Sequence, residues 1–435
     1  MAGTVAIDHI TKLTSRSDEP FEARVPGSKS YTNRALLLAA QRPGQTRVTG
    51  ALHCDDTLYL ADCLDSFDGL EVKRTDEGFS ARRRDGALGA ASSDLFVGAA
   101  GTPARFLLSF ASSAEGTSIV TGNERLCERP MSHITEALTA AGIRCEHIDK
   151  PGCLPVRVHG GQPNSTTWTI DGSVSSQFVS SLLLLAAQQN GGPVEVRVPG
   201  HLVSRPYVEM TLRMLNDHGI TASEKDTNVF EVQPGIPAND TIPVEVDASG
   251  MSYFLVAAAI TGTRVRIPGI AANSAQGDVG LAFALERMGC ELEFANGGLE
   301  LKGGPLRGID IDMESMPDTV LSLAIAAAVA SGETRITNIA NLRVKECDRI
   351  HAAAAELNRL GVPTEEGDDF LVIRPNGPIG QATVSTYDDH RVAMSFGLFR
   401  LLGDGVEIED PACVAKSFPS FWDELARFKE HHERG

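Results

Sequence analysis

Apolar and polar positions along the chain repeat in one pattern, in which a short turn of small or polar residues precedes a run rich in Leu, Ala and Val. Each run predicts a helix, and because the runs are apolar nearly all round, these helices are expected to be buried. The pattern occurs six times. The copies are PGSKSYTNRALLLAA from Pro26, AAGTPARFLLSFAS from Ala99, DGSVSSQFVSSLLLLAA from Asp171, DASGMSYFLVAAAI from Asp247, MPDTVLSLAIAAAVA from Met316 and DDHRVAMSFGLFRLL from Asp388.

The spacing of roughly 70 residues between copies is too long for an ankyrin or tetratricopeptide array, so each copy must belong to a larger unit. Alternating or β-branched stretches between the copies predict strands. They are TRVTGAL, TSIVTGN, VEVRVPG, TRVRIPG, TRITNIA and GVEIEDP. Four of the units also contain a predicted second helix, which ends at a glycine. These helices lie in HITEALTAAGI, YVEMTLRMLNDHGI, GLAFALERMGC and RIHAAAAELNRLGV. The six mixed α/β units divide into two groups of three, with a boundary near PGIPANDTIPVEV.

The length of 435 residues and a hydrophobic content of 42% favour two domains with large cores. No apolar run approaches the about 20 residues of a membrane-spanning helix. The N-terminal stretch MAGTVAIDHITKL also lacks the layout of a signal peptide. These features predict a cytoplasmic protein that does not bind membranes.

A formal net charge of -18 disfavours nucleic acid as a partner, because phosphate backbones are bound by basic surfaces. The eight cysteines are dispersed without a CxxC pair or a cluster with histidine, which predicts reduced thiols and no metal site. An anionic ligand would therefore need a local concentration of positive charge. The N-termini of the six repeated helices could supply part of it, although an ordinary helix cap is the better explanation of any single turn taken alone.

Basic residues are concentrated in two segments, the first of which is the first copy of the repeat. Lys29 lies in the turn Gly27–Ser30 and Arg34 about one helical turn later, so both could face one anion; the segment lacks the spacing of an ATP-binding loop. In NLRVKECDR, a helix would place Lys345, Glu346 and Arg349 on one face, although a solvated salt-bridge face explains that segment when it is judged alone.

Three further segments carry charge. Asp388 and Asp389 open the sixth apolar run before Arg391, where a solvent-facing cap is an equal explanation. Arg129 in ERPM and Lys416 in AKSFPSFW would ordinarily be surface charges.

Taken in order, GSKSYTNRALLLAA, AGTPARF, ERPM, DGSVSSQF, SRPY, MPDTVLSLA, NLRVKECDR, DDHRVAMS and DPACVAKSFPSFW resemble the signatures of the 5-enolpyruvylshikimate-3-phosphate (EPSP) synthase family. The resemblance runs from about Pro26 to Trp422. It implies an α/β fold of two similar domains, each built from three βαβαββ units with internal parallel helices. The implied domains are residues 1–23 with 245–435, and an inserted domain 24–244, with the active site in the cleft between them.

The resemblance also implies a reaction without a cofactor, the transfer of the enolpyruvyl group of phosphoenolpyruvate to the 5-hydroxyl of shikimate 3-phosphate. A monomer is expected, because two domains around one cleft need no partner. The resemblance assigns shikimate 3-phosphate to Lys29, Ser30, Arg34, Ser175, Ser176, Gln177, Ser204, Asp318, Asn341 and Lys345. It assigns phosphoenolpyruvate to Lys29, Gly101, Arg129, Gln177, Arg349, Arg391 and Lys416.

Three of these residues are implied to be catalytic. Asp318 would take the proton of the 5-hydroxyl, Glu346 would protonate the methylene carbon of phosphoenolpyruvate, and Lys29 would assist proton transfer and stabilise the departing phosphate. The roles of the two carboxylates could be partly exchanged.

The chain departs from the family pattern at Ala99, where an Asn usually precedes AGT, and the loss of that amide leaves the geometry of the loop open. The glycine of this motif, which leaves room for the herbicide glyphosate in the family, is retained as Gly101. Two alternatives stay open: the sister enzyme that transfers enolpyruvyl to a UDP-linked amino sugar, UDP-N-acetylglucosamine, and a non-catalytic anion-binding relative. Ser30 after the lysine, where the sister enzyme usually has Asn, argues against the first.

Overall fold

The computed structural model describes residues 19–434. They form two units, of which one is Gly27–Glu245 and the other comprises the described residues before and after that range. Of the predicted discontinuous domain, residues 1–18 lie outside the described part of the chain. Within it, no helix is long and apolar enough to cross a membrane.

The strands are β1 Phe21–Glu22, β2 Gly44–Thr49, β3 Leu70–Thr75, β4 Gly78–Arg83, β5 Leu95–Phe96, β6 Thr117–Thr121, β7 Cys145–His147, β8 Val156–His159, β9 Thr167–Thr169, β10 Val194–Arg197, β11 Ala222–Asp226, β12 Val229–Val232, β13 Thr241–Pro243, β14 Arg264–Pro268, β15 Glu291–Ala295, β16 Gly298–Lys302, β17 Asp310–Asp312, β18 Thr334–Thr337, β19 Thr364–Gly367, β20 Phe370–Ile373, β21 Ala382–Val384 and β22 Val406–Ile408.

The α-helices are α1 Lys29–Gln41, α2 Asp55–Asp65, α3 Gly101–Ser112, α4 Glu124–Cys127, α5 Ser132–Ala140, α6 Ser176–Ala186, α7 Pro206–Asp217, α8 Ala248–Thr261, α9 Gly280–Met288, α10 Val320–Ala328, α11 Arg349–Arg359, α12 His390–Gly397 and α13 Phe421–Arg434. Shorter 3-10 helices are Gly277–Val279, Pro317–Thr319, Ala340–Val344, Leu398–Leu401 and Pro411–Lys416. The six helices predicted from the repeated apolar runs are all present, and so are the four predicted second helices and the six predicted strands.

The unit Gly27–Glu245 contains three four-stranded sheets with one topology. Their strand orders are β13-β2-β4-β3, β5-β6-β8-β7 and β9-β10-β12-β11. In each sheet the first two strands of this order pair in parallel, and the remaining neighbouring strands pair antiparallel, as a βαβαββ unit requires. The first sheet takes its outer strand from the end of the unit, where Thr241 pairs with Arg47.

The other unit has two sheets of the same topology, β1-β14-β16-β15 and β17-β18-β20-β19, and a two-stranded sheet of β21 and β22. Its third repeat therefore departs from the predicted βαβαββ form. After β22 the chain forms α13 instead of a hairpin, and this helix buries Phe421, Leu425 and Phe428. Phe428 packs edge-on against Phe21 of β1 with ring centroids 5.2 Å apart, so α13 covers the first repeat of its own unit.

The first helices form the core of each unit, as their apolar composition predicts. All residues of α8 are buried, and small residues let it approach α10, where Ser252 Oγ lies 2.9 Å from Ser322 Oγ. In the other unit, Ser181 Oγ of α6 donates to Ser109 Oγ of α3 at 2.6 Å. The sequence-based expectation of mixed α/β repeats around internal helices is confirmed.

Candidate functional site

Asp318 is the centre of a charged cluster in the unit that contains α8–α13. The carboxylate lies in the 3-10 helix Pro317–Thr319, which leads into α10. It accepts from Arg349 Nη1 at 3.1 Å and from Arg391 Nη2 at 3.0 Å, and Lys345 Nζ lies 3.8 Å away. Asp318 is therefore surrounded by cations from three segments of the chain.

Arg349, the first residue of α11, extends this cluster to three carboxylates. Its side chain is 2% exposed, and it donates from Nε to Asp389 at 2.7 Å and from Nη2 to Glu346 at 2.9 Å. Lys416 Nζ lies 3.1 Å from the other oxygen of Glu346. We call Asp318, Lys345, Glu346, Arg349, Asp389, Arg391 and Lys416 the Asp318 cluster.

The charged side chains of the Asp318 cluster shift each other's pKa values. Burial opposes ionisation of Asp318, but Arg391, Lys345 and Arg349 outweigh it and hold the pKa of that carboxyl well below its usual range. Burial would lower the pKa of Arg349, yet Asp389, Glu346 and Asp318 raise it overall. Asp318 is thus ionised, and its cations make it a weak base in this arrangement.

A further carboxyl, Asp278, lies beside the cluster and was not predicted from the sequence. It is 3% exposed, and Ser249 Oγ donates to its Oδ2. Burial, and secondly the charge of Asp318, raise its pKa to about 7, while Arg391 opposes the shift. Its sequence context, QGD between two predicted elements, resembles a common turn and gave no signal of burial.

The predicted helical face in NLRVKECDR is wrong. The segment forms the 3-10 helix Ala340–Val344, Lys345 has an extended conformation, and α11 begins only at Arg349. The charged residues nevertheless come together, because the irregular stretch brings Lys345 to Asp318 and Glu346 to Arg349. Asn341 lies half-buried in the 3-10 helix. The alternative of a solvated salt-bridge face is excluded by the burial of Arg349.

In the unit Gly27–Glu245, Lys29 opens α1 and lies 2.9 Å from Asp56 in the first turn of α2. The side chain of Lys29 is 15% exposed and that of Asp56 is 5% exposed, so the ion pair is largely shielded from solvent. Ser30 follows Lys29 in the first turn of α1, beside backbone N–H groups suited to an anion.

A second group of cations in this unit surrounds the start of α3. A Cβ placed on Gly101 would lie 2.7 Å from both Arg105 Nη1 and Arg129 Nη1. Arg105 also donates to Gln177 Oε1 at 2.6 Å and lies over the ring of Phe178, 5.0 Å from its centroid. Gly101 therefore provides the space in which two guanidinium groups and one amide meet. We call Gly101, Arg105, Arg129 and Gln177 the Gly101 cluster.

Arg105 was missed as a site residue in the sequence analysis. Its position four residues after Gly101 on the same helix was the available signal, since such residues share a face. Arg105 and Arg129 are 3% and 7% exposed. The remaining hydroxyls lie at helix starts: Ser175 caps α6 and accepts from Gln177 N, Ser176 follows it, and Ser204 precedes α7 with φ 52°.

Arg34 lies in the interior of the same unit, where its guanidinium is hydrogen-bonded within the protein. It donates to Thr211 Oγ1, Ser30 O, Ser180 Oγ and Tyr207 O at 2.7 to 3.0 Å. These bonds use four of the five guanidinium N–H donors and join α1 to α6 and α7. Burial lowers the pKa of Arg34 to about 10.

Both clusters can hold oxyanions, because arginine and lysine donors converge at buried positions beside helix starts. In the Asp318 cluster, carboxylates accompany the cations and can accept or donate protons. Among residues 19–434, no three His, Cys, Asp or Glu side chains are arranged to hold a metal ion.

Comparison with known proteins extends these observations to the whole chain. Residues 20–425 match the model of the family EPSP synthase (3-phosphoshikimate 1-carboxyvinyltransferase). The 3-phosphoshikimate 1-carboxyvinyltransferase of Vibrio atlanticus is 40% identical over 410 residues, which cover 93% of this chain and 96% of that protein. The enzyme of the same name from Xenorhabdus nematophila is 40% identical over 414 residues, covering 94% and 96%.

Solved structures agree with these relatives. The EPSP synthase of Acinetobacter baumannii superposes with a TM-score of 0.77 at 28% identity, covering 94% of this chain and 96% of that one. The enolpyruvyl transferase NikO of Streptomyces tendae gives a TM-score of 0.71 at 18% identity, covering 93% and 94%, which shows a shared fold alone.

Proposed function

The chain belongs to the EPSP synthase family, and from this premise we propose how its residues transfer the enolpyruvyl group of phosphoenolpyruvate to the 5-hydroxyl of shikimate 3-phosphate. The products are 5-enolpyruvylshikimate 3-phosphate and phosphate. The family and the enzyme class predicted from the sequence are confirmed by the family model and by relatives of that name. The sister reaction on a UDP-linked amino sugar is not favoured.

Phosphoenolpyruvate is assigned mainly to cationic side chains. The proposed contacts are Lys29, Gly101, Arg129, Gln177, Arg349, Arg391 and Lys416. Support comes from the Gly101 cluster, where arginine donors and the Gln177 amide surround a residue without a side chain. A phosphate and a carboxylate on a three-carbon ligand need several such donors, because guanidinium groups pair with both kinds of oxyanion.

Shikimate 3-phosphate is assigned to hydroxyl, amide and cationic groups. The proposed contacts are Lys29, Ser30, Arg34, Ser175, Ser176, Gln177, Ser204, Asp318, Asn341 and Lys345. Ser30, Ser175 and Ser176 lie at the starts of α1 and α6, where the positive ends of the helix dipoles favour an anion. Arg34 would reach this ligand only through its remaining Nη1 hydrogen, and its main contribution is to hold Ser30 in place.

The chemistry is an addition followed by an elimination. Asp318 accepts the proton of the 5-hydroxyl as its oxygen bonds to C2 of phosphoenolpyruvate, and Glu346 protonates C3, which becomes a methyl group. The C2–O bond to phosphate then breaks, and one methyl proton returns to a carboxylate to restore the double bond. Lys29 stabilises the charge on the departing phosphate.

The charge balance explains how Asp318 becomes a base only when substrates are present. In the structure three cations hold the pKa of Asp318 low. An anionic ligand that pairs with Arg391 and Arg349 would compete for the same cations, so that the pKa of Asp318 rises and the carboxylate accepts the proton more readily. The observation that carries the proposed mechanism is this contact of Asp318 with Arg349, Arg391 and Lys345.

The proposed reaction is tested by incubating the protein with phosphoenolpyruvate and shikimate 3-phosphate and measuring released phosphate together with the mass of the organic product. We expect phosphate and 5-enolpyruvylshikimate 3-phosphate in equal amounts, and no phosphate when shikimate 3-phosphate is omitted. Turnover with UDP-N-acetylglucosamine instead, or binding of shikimate 3-phosphate without turnover, would overturn the proposal.

The proposal includes a cytoplasmic monomer that needs no cofactor, nucleic acid or membrane surface. The residues of each cluster belong to one chain, so the cluster contacts described above use no residue of a second copy. Light scattering during size exclusion gives the mass in solution, and a dimer would contradict this part of the proposal.

A further inference from the structure

The segment of residues 385–389, between β21 and α12, contains two consecutive non-glycine residues with left-handed backbone conformation. Tyr387 and Asp388 both have φ 55°. Such residues cost free energy and persist only where surrounding contacts fix them. The segment ends at Asp389, which is fully buried, accepts from Arg349 Nε and caps α12 by accepting from Arg391 N at 2.9 Å.

Helix α11 holds this segment at two points. Arg349 and Glu356 are seven residues apart, so they lie on the same face of the helix. Arg349 binds Asp389, while Glu356 accepts from Tyr387 Oη at 2.8 Å and from Ser385 N at 3.4 Å.

Glu356 is a buried carboxylate outside the proposed catalytic set. It is 0% exposed, and besides the two donors from the segment it lies 3.4 Å from Arg359 Nη2. A buried carboxylate is tolerated when donors compensate for the loss of water. The hydrogen bonds from Tyr387 Oη and Ser385 N therefore fix the segment 385–389 relative to α11. If the segment shifts, the buried Glu356 carboxylate loses these two hydrogen bonds.

We propose that Glu356 and Tyr387 are positioning residues, whose hydrogen bond holds the left-handed turn so that Asp389 fixes the orientation of the Arg349 guanidinium. This inference rests on the proposed function, because Arg349 is the group through which it reaches phosphoenolpyruvate. Without the bond, the backbone at Tyr387 can return to negative φ, and Asp389 moves away from Arg349 Nε. The guanidinium then turns further towards Asp318 and Glu346, and its donors are less available to the substrate.

Tyr387→Phe tests the inference, since it removes one hydroxyl. We expect KM for phosphoenolpyruvate to rise about tenfold, the effect of losing one hydrogen bond to a charged group, while KM for shikimate 3-phosphate changes less than about twofold. Glu356→Gln keeps an acceptor for Tyr387 and should raise KM for phosphoenolpyruvate less than Glu356→Leu, which has none. Equal effects of the two Glu356 variants would contradict the proposal.

A matched control separates positioning from loss of stability. Asn358 lies on the same helix, and its side-chain hydrogen bonds go to Ala354 and Thr364 and not to the segment 385–389. Asn358→Ala should lower Tm without raising KM for phosphoenolpyruvate. If Tyr387→Phe changes KM no more than this control, the inference is wrong.

Hydrogen–deuterium exchange of the wild type and Tyr387→Phe gives a readout that does not require turnover. The amide of Arg391, capped by Asp389, should exchange faster in Tyr387→Phe and remain protected in Asn358→Ala. Unchanged protection would overturn the proposed coupling even if the wild type proved inactive. Absence of turnover in the wild type, with the exchange difference present, would instead reject the proposed function and leave the positioning contact supported.

Discussion

Lys29 carries a positive charge at the start of α1 and forms an ion pair with the buried carboxylate of Asp56. Lys29→Met should lower kcat by at least ~100-fold, because the departing phosphate loses a cation and a proton donor. Steady-state phosphate release measures this change.

The same substitution leaves the Asp56 carboxylate buried without its ion pair, which would destabilise the unit. Lys29→Met combined with Asp56→Asn removes that problem and should remain folded but equally slow. Lys73→Met, at a side chain 70% exposed on β3, serves as the control. Turnover of the double variant within about tenfold of the wild type would remove Lys29 from catalysis.

Gly101 is a second single residue with a testable role, because its lack of a side chain leaves room for Arg105 and Arg129. Gly101→Ala should raise KM for phosphoenolpyruvate and leave KM for shikimate 3-phosphate nearly unchanged, because the new Cβ would displace Arg105 and Arg129. Gly161→Ala is the control, since nothing lies within 4 Å of a Cβ at that position. Equal kinetics of the two variants would contradict the geometry of the Gly101 cluster.

At the residue level, the motifs predicted most of the charged residues that the structure brings together. The Asp318 cluster contains six residues from the predicted sites, and Asp389 completes it. Arg105 and Asp278 were missed because their importance comes from long-range contacts. Arg105 shares a helix face with Gly101, but its bond to Gln177, 72 residues away, has no local signal, and the same holds for the bond of Asp278 to Ser249, 29 residues away.

At the level of elements, Arg34 joins three helices of the unit Gly27–Glu245. Arg34→Met preserves the length of the side chain but removes the hydrogen bonds to Thr211 Oγ1, Ser180 Oγ and the carbonyls of Ser30 and Tyr207. The free energy of unfolding should fall by about 3 kcal/mol or more, as measured by urea titration followed by circular dichroism.

Arg213→Met is the matched control on α7, because that arginine is 44% exposed and lies 3.8 Å from Asp217. Its substitution should change stability by less than about 0.5 kcal/mol. A loss at Arg34 no larger than at Arg213 would show that the buried network contributes little.

The helices were predictable where apolar runs were long, and the strands where β-branched residues alternated. The elements that were not predicted are either very short or depend on contacts with distant residues. The strands β1 and β5 have only two residues each, too few for any period to appear. In NLRVKECDR the charges fit a helix, but the contacts of Lys345 and Glu346 with Asp318 and Lys416 require an extended turn. The replacement of the last hairpin by α13 has no local signal either, since Phe421–Arg434 is an ordinary amphipathic pattern.

At the scale of the whole molecule, Asp278 makes stability depend on pH. Its pKa rises from 3.8 to about 7 on folding, so the folded chain keeps a proton that the unfolded chain has released between these values. The contribution of this group to stability is therefore lost as pH increases through about 7, with a slope on the order of 1 kcal/mol per pH unit.

Asp278→Asn isolates the contribution of Asp278 to the pH dependence of stability, because Asn keeps an acceptor for Ser249 and does not titrate. Urea unfolding at pH 5 and pH 8 should show the variant gaining stability relative to the wild type as pH rises. Other titrating groups affect both proteins equally and cancel in the difference. A difference that is independent of pH would show that Asp278 is ionised in the folded protein throughout.

The strand Phe21–Glu22 pairs with Val265 and Arg266, so its partner is synthesised only after the whole of Gly27–Glu245. A chain leaving the ribosome can complete that intervening unit first, since its own closing strand, Thr241–Pro243, is made before the partner appears. Until then the first strand has no sheet to join. The order of translation thus gives the two halves different opportunities to fold, although both are built from the same repeat.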